Sequence, residues 1–278
     1  MNLESTFFKT ELTGGVAHFR MAKPGKANAM SSDFWEDLPR MVRELEANPS
    51  IRVLVISGEG KHFTAGMDLS AFQPIMEISK AEPARGAFAL RELILRLQDT
   101  FTALEQVRFP VVAAIHGACL GGGIDFISAC DFRIASKDAY FGIEEIHIGM
   151  TADVGTLQRL PKLIAPGIVR ELAYTGRRFS AEEAHQWGLV NSTHKDHKAV
   201  VAAALETAEE IAAKSPLAIA GIKNALNFAR DHSVADGLEQ IATWNSGMLR
   251  SEDLSSALQA KINKKQAVFS ALLSKAGL

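Results

Sequence analysis

Cysteine is scarce in this 278-residue sequence: only Cys119 and Cys130 are present, eleven residues apart and without a CxxC pair. That excludes a disulfide framework and a cysteine-built zinc site, and it fits a reducing compartment. A chain of this length needs no such staples, because it can bury roughly 75% of the surface its unfolded form exposes. Net charge is nearly absent as well. Thirty basic residues against 32 acidic give −2, which leaves no basic field for nucleic acid or an anionic membrane. No apolar run reaches membrane-spanning length. Residues 1–8 carry no basic n-region and no long apolar core, so neither a secretory signal nor an Arg-rich transit peptide is expected. The closing Ser274-Lys275-Ala276-Gly277-Leu278 does not spell a peroxisomal SKL address. The expected location is the cytoplasm. Internal repeats, low-complexity segments and a disordered linker are also missing, which leaves one structural unit.

What is present is organised around Pro110 to Phe126. A β-branched apolar run, Val111-Val112-Ala113-Ala114-Ile115, reads as a buried strand, and Gly121-Gly122-Gly123 follows it. Consecutive glycines let the backbone turn sharply and approach another group without an intervening β-carbon. If a helix starts there, its first N–H groups lack partners and face outward at the positive end of the helix dipole. Such a turn suits an anion, or an oxygen that becomes one during a reaction. Asp125 lies in the first turns of that helix, among apolar neighbours.

Around this stretch, strands alternate with helices and a helical tail follows, the pattern of an α/β protein. Phe7–Thr13 and Val16–Arg20 read as a hairpin turning at Gly14-Gly15. A helix from Ser31 or Ser32 to Ala47 has an apolar face of Phe34, Leu38, Met41, Val42 and Leu45, and Asn48-Pro49 ends it. Residues 52–57 carry four aliphatics in a row, the mark of a strand buried on both faces. Residues 70–86 show no sustained period, contain Pro74 and Pro83, and are expected to form a mobile cover. Leu90 to Leu104 marks a long amphipathic helix. Short strands are expected at 132–135, 140–143 and 189–191, a capping box at Ser180 and Glu183, and a helix over 200–214.

Two motifs now carry a resemblance. Phe63-Thr64-Ala65-Gly66-Met67-Asp68-Leu69 is similar to the F-x-A-G-x-D-L loop of the crotonase family, the enoyl-CoA hydratases and isomerases. His116-Gly117-Ala118-Cys119-Leu120-Gly121-Gly122-Gly123 is similar to that family's second signature. The resemblance implies a spiral of ββα units over residues 1–198. A helical region over 199–278, part of the same unit, would build homotrimers or dimers of trimers. It implies an acyl-CoA thioester as substrate, no metal, and no cofactor beyond the coenzyme A of the substrate itself. It places an oxyanion hole at the backbone N–H groups of Met67 and Gly122. Lys26-Ala27-Asn28-Ala29 resembles the family's nucleotide edge, one residue shorter. The resemblance thus implies CoA contacts at Lys26, Ala27, Ala65, Gly66, Asp68, Leu69 and Gly121. It implies further contacts at Lys265 and Phe269, expected on the C-terminal helix.

Hydratases of the family carry glutamates at the positions of Asp125 and Glu145 and a glycine at that of Asp153. Three acids at 125, 145 and 153, with Ala152-Asp153-Val154-Gly155-Thr156-Leu157-Gln158-Arg159-Leu160-Pro161, resemble the Δ3,5-Δ2,4-dienoyl-CoA isomerase branch. That branch moves two double bonds into conjugation with the thioester. A proton leaves C2 and another arrives at C6, so one carboxylate is needed near each carbon. Glu145 is expected at C2 and Asp153 at C6, with Asp125 as a supporting acid that tunes both. Three carboxyls in a dry pocket cannot all ionise cheaply, so at least one should titrate high.

Blander readings stand beside these. Asp153 could instead cap a helix starting near Val154. His62 reads as a surface residue, His116 as a hydrogen-bonding core residue, Cys119 as a small packed hydrophobe and Glu144 as structural or solvated. A hydratase or a Δ3,Δ2-enoyl-CoA isomerase is the rival within the family, and a non-catalytic binding scaffold the rival outside it. A serine protease of similar core fold is excluded by the missing G-x-S-x-G elbow and Ser–His arrangement.

Overall fold

A computed structural model describes residues 1–275; the end of the closing pentapeptide discussed above lies outside the described residues. The chain opens with β1 (Phe8–Thr13), β2 (Val16–Met21), α1 (Ser32–Ala47) and β3 (Val53–Gly58). There follow α2 (Gln73–Ile78), α3 (Pro83–Gln106), β4 (Val111–Ile115), β5 (Ala118–Leu120), α4 (Gly122–Ser128), β6 (Phe132–Ser136) and β7 (Tyr140–Gly142). After these come α5 (Thr156–Arg159), α6 (Pro166–Thr175), β8 (Phe179–Ser180), α7 (Ala181–Gln186) and β9 (Ser192–His194). The helices α8 (His197–Ala212), α9 (Pro216–Asp231), α10 (Val234–Met248) and α11 (Glu252–Ile262) complete it.

One sheet has the order β1-β2-β3-β4-β6-β9, and a second has β5-β7-β8. β1 pairs with β2 antiparallel through the Gly14-Gly15 turn, and the rest of the larger sheet is parallel. Alternation along β3 explains its four consecutive aliphatics. Leu54 and Ile56 enter the main core with Phe34, Leu38, Phe101 and Phe126. Val53 and Val55 face the other way, onto Val200, Ala204 and Ala208, one stripe of α8 at helical spacing. This mixed α/β architecture, with a parallel-rich sheet and a helical C-terminal region, is the expected spiral fold. Among the described residues no helix is long and apolar enough to cross a membrane.

Several local expectations are corrected. Residues 70–86 are largely helical. A 3-10 turn at Leu69–Phe72 leads into α2, and α3 begins at Pro83 with Glu82 accepting the Ala84 and Arg85 N–H groups. Both prolines sit in the first turn of a helix, where the missing N–H costs nothing. The last strand is 192–194; Leu189 and Val190, expected in it, are core residues ahead of it. α11 stops at Ile262, because Lys264 takes a left-handed φ of 51°. Lys265 and Phe269 therefore follow the C-terminal helix and do not lie on it.

Candidate active site

Parallel sheets place their functional loops beyond the carboxyl ends of the strands, and two such loops meet here. The first follows β3 and carries Met67. Its Thr64 N–H donates to Ala118 O at 2.9 Å, and Leu120 N–H donates back to Thr64 O at 3.2 Å. These bonds bring Met67 beside the glycine turn that opens α4. A β-carbon on Gly66, whose φ is +89°, would lie 2.7 Å from Leu120 O, so only glycine permits this approach. On the other side, Met30 N–H donates to Gly66 O at 2.8 Å and Asp68 N–H to Met30 O at 3.1 Å. The Met67 N–H is thereby turned away from Met30. A β-carbon built on Gly122 would lie 3.9 Å from Met67 N. Neither the Met67 nor the Gly122 N–H has a hydrogen-bond partner among the described residues. The two donors sit side by side and uncommitted.

The acids gather at the same turn. Glu145 opens a 3-10 turn over Glu145–Ile148, and its Oε1 would lie 3.5 Å from a β-carbon on Gly121. Its Oε2 is buried without a hydrogen-bond partner. Burial, and then the charges of Asp125, Asp153 and Glu144, push Glu145 up to about 7. Asp125 has no exposed surface. Its Oδ1 accepts the Thr156 N–H at 2.6 Å, while Oδ2 is buried and unpartnered. Burial, reinforced by the charge of Asp153, lifts it to about 6 against that hydrogen bond. Asp153 is half-buried and is also raised by burial. Its backbone carbonyl accepts Gln98 Nε2 at 2.7 Å, which fastens this segment to α3.

That geometry decides between the two readings of Asp153. The N-cap of α5 is Gly155, with no capping side chain. The N–H at the start of α5 is satisfied from another element, by Asp125. Asp153 is therefore free of the capping duty, and Asp125 combines an acid's position with a helix-capping bond.

An apolar cavity of about 450 Å³ begins at Glu145 and runs between Ile143, Ile146, Leu157, Val169 and Ala173. Asp125, Asp153, Met67 and Gly122 lie off its wall. Lys26, Ala27 and Asp68 flank the first loop: Ala65 N–H donates to Ala27 O at 2.9 Å, and Lys26 Nζ lies 3.9 Å from Asp68. Leu69 is 81% exposed beside them. The residues expected at the CoA edge on these loops and on Gly121 are thus brought together. Lys265 and Phe269 are not. The Phe269 carbonyl accepts Arg52 Nη2 at 3.1 Å, and Arg52 precedes β3, at the end of the strand opposite the site.

Sequence reasoning missed the residues that hold the loops. Asn28 is fully buried. Its Oδ1 accepts the Lys23 N–H, and its Nδ2 donates to the carbonyls of Glu59 and His62. Thr64 Oγ1 donates to Asn28 O and accepts the Gly66 N–H. A lone Asn and a lone Thr inside glycine-rich loops were the available signal. His62, expected at the surface, is half-buried, with Nδ1 accepting the Ala118 N–H at 3.0 Å. The other blander readings agree with the structure. His116 is buried with Nε2 bonded to Gly60 O, Cys119 is packed in the core, and Glu144 pairs with Arg178.

Comparisons with known proteins bear on the family and the fold. The family profile described as enoyl-CoA hydratase/isomerase matches residues 11–271. The mitochondrial Δ(3,5)-Δ(2,4)-dienoyl-CoA isomerase of Mus musculus is 43% identical over 90% of this chain and 77% of its own length. The peroxisomal enzyme of that name from Arabidopsis thaliana is 43% identical over 92% of this chain and 93% of its own. The crystal structure of an enoyl-CoA hydratase from Bacillus anthracis superposes with a TM-score of 0.86 at 30% identity. That match covers 95% of this chain and 99% of the other.

Proposed function

The chain belongs to the enoyl-CoA hydratase/isomerase family, and from that premise we propose that it is a Δ3,5-Δ2,4-dienoyl-CoA isomerase. The observation that carries this reading is the pairing of two uncommitted N–H donors, on Met67 and Gly122, with Glu145, pushed up to about 7, and Asp153, raised by burial. Relatives of that activity at 43% identity support it.

In the proposed mechanism the thioester oxygen lies between the Met67 and Gly122 N–H groups. Glu145, half-ionised near pH 7, takes the C2 proton, the balance a general base needs. Negative charge moves onto the oxygen, where each preorganised donor is worth about 3 kcal/mol. The charge extends along the dienolate to C6. Asp153, raised by burial, is the acid assigned to deliver a proton there. The product is the conjugated 2,4-dienoyl-CoA, and no water is added. Asp125 is held by Thr156 N–H, and its charge repels Glu145; its part is to keep Glu145 titrating high.

The CoA nucleotide is assigned to the edge formed by Lys26, Ala27, Ala65, Gly66, Asp68, Leu69 and Gly121. The Ala65 carbonyl there has no partner among the described residues. Lys265 and Phe269 would reach a CoA only from a neighbouring copy. A trimer, alone or paired, is proposed on the exposed apolar residues of the C-terminal helices, among them Leu238, Leu258 and Ile262. Sedimentation of the purified protein tests it.

The test of the reaction is incubation with a 3,5-dienoyl-CoA in heavy water. Deuterium at C6 of a conjugated product supports the assignment. A 3-hydroxyacyl product would make the protein a hydratase, and acyl-CoA binding without turnover would make it a scaffold.

A further inference from the structure

His62 stands where the two loops first meet. Its Nδ1 accepts the Ala118 N–H at 3.0 Å. Next along, Phe63 N–H donates to His116 O at 2.8 Å, Thr64 N–H to Ala118 O at 2.9 Å, and Leu120 N–H to Thr64 O at 3.2 Å. These four bonds zip residues 62–64 to residues 116–120. Met67 lies just beyond the zip on one strand and Gly122 just beyond it on the other. The backbones are close enough that a β-carbon on Gly117 would lie 2.2 Å from Lys61 O and 2.8 Å from His62 Nδ1. Three of the bonds are between backbone groups and cannot titrate. The fourth can. An accepting Nδ1 places the ring proton of neutral histidine on Nε2. A second proton would turn Nδ1 into a donor facing the Ala118 donor.

We propose that His62 is a positioning residue of the oxyanion hole, whose neutral ring holds the Ala118–Gly122 turn in register with the Met67 loop and whose protonation releases it. The inference rests on the roles proposed above for Met67 and Gly122. His62 is faced by Lys61 from its own loop, by Asp138 from the turn between β6 and β7, and by the edge of the Tyr140 ring, 6.3 Å between centroids at 85°. His116, at the end of β4, faces it as well and is stacked at 3.5 Å on His197 of α8. Burial and the Lys61 charge hold His62 below the ordinary histidine value, and Asp138 opposes them. Burial and His197 hold His116 lower, at about 4. His197 is likewise lowered by burial. Held below the ordinary histidine value, the His62 ring is predominantly neutral at pH 7.

The experiment compares wild type, His62→Leu and His62→Asn by steady-state kinetics. It also follows the Ala118 amide resonance against pH in 15N-alanine-labelled wild type and His62→Asn. Leucine removes the acceptor. Asparagine keeps one near the Nδ1 position and cannot be protonated. His62→Leu should lose roughly ten- to a hundredfold in kcat, the cost of an ångström-scale misplacement at the reacting centre, with KM little changed. His62→Asn should recover most of that loss. Its acid limb should follow one protonation, that of Glu145, where wild type follows two. The wild-type Ala118 resonance should shift with an inflection below pH 6.5, the ordinary histidine value, and stay flat in His62→Asn. Unchanged kcat in His62→Leu, or a wild-type Ala118 resonance indifferent to pH, overturns the proposal. If His62→Leu does not fold, the asparagine variant and the amide titration decide it. A wild type without isomerase activity would overturn the proposed function instead, and the amide titration would still decide whether the His62 link exists.

Discussion

The loops at the carboxyl ends of the sheet and the helices at the end of the chain are built on opposite terms. Around the glycine turn the residues are buried and bonded to one another. Asp125 and Thr64 have no exposed surface, and Asn28 spends both ends of its amide on neighbouring backbone. The C-terminal helices leave their apolar faces open. α10 and α11 contain no buried residue, and Leu238, Leu258 and Ile262 are 63%, 55% and 74% exposed. Lys223 of α9 ties the helices to α3 and to the amino ends of β4 and β6, away from the loops. It is buried, and its Nζ donates to the carbonyls of Leu104 and Phe109 and to Asp131. The glycine turn is thus packed from within the chain, while the helical end leaves apolar surface exposed.

The comparison breaks first at the acids. If the site is complete within one chain, Glu145→Gln and Asp153→Asn should each lower kcat by about 10²–10⁴-fold, the usual range for a general acid or base. Acyl-CoA affinity measured by calorimetry should barely change. Full activity in either variant would remove that residue from the mechanism. Lys223→Met should cost about 3 kcal/mol by urea denaturation, near the low end for breaking a buried ion pair, because Asp131 keeps some contact with water. A change within 0.5 kcal/mol would mean the helices are held elsewhere.

A third test uses pH. Asp125 and Glu145 have folded values of about 6 and 7 against ordinary values of 3.8 and 4.5. A raised value means the folded state holds its proton more tightly than the unfolded one. The resulting stability is complete below about pH 4 and is lost as pH rises through 6 and 7. Glu145→Gln should therefore raise Tm at pH 8, by about 2–4 °C for each kcal/mol recovered, and leave it unchanged at pH 4. Equal Tm differences at both values would contradict the buried charge. In the helical region the effect on folding should be smallest: Leu258→Glu should change unfolding free energy by less than about 0.5 kcal/mol. It should nonetheless shift sedimentation towards the monomer. An unchanged oligomer would sharpen the comparison by moving the missing surface off α11.

Much of this was legible in residue order because it depends on local geometry. The Gly14-Gly15 hairpin, the apolar face of α1 and the doubly buried β3 each follow from one periodicity. The donors were implied by the resemblance of the two loop motifs to the crotonase family, and the acids by the resemblance of positions 125, 145 and 153 to its isomerase branch. What escaped there were short caps and turns that set up no period of their own. Residues 70–86 look irregular, yet they fold as helices once Pro74 and Pro83 fall in first turns and Glu82 supplies a cap. The Lys265–Phe269 segment reads as helix until Lys264 turns left-handed.

By itself the sequence determined the strongly periodic elements and which residue types its two loop motifs carry. Those properties reside in side-chain period and in the identity of carboxyl and amide groups. Only the tertiary structure decided which aspartate caps a helix, that Asp125 supplies this bond from 31 residues away, and that His62 joins two loops 56 residues apart. Contacts across such distances are set by how sheets and loops close on one another, and no local pattern encodes them.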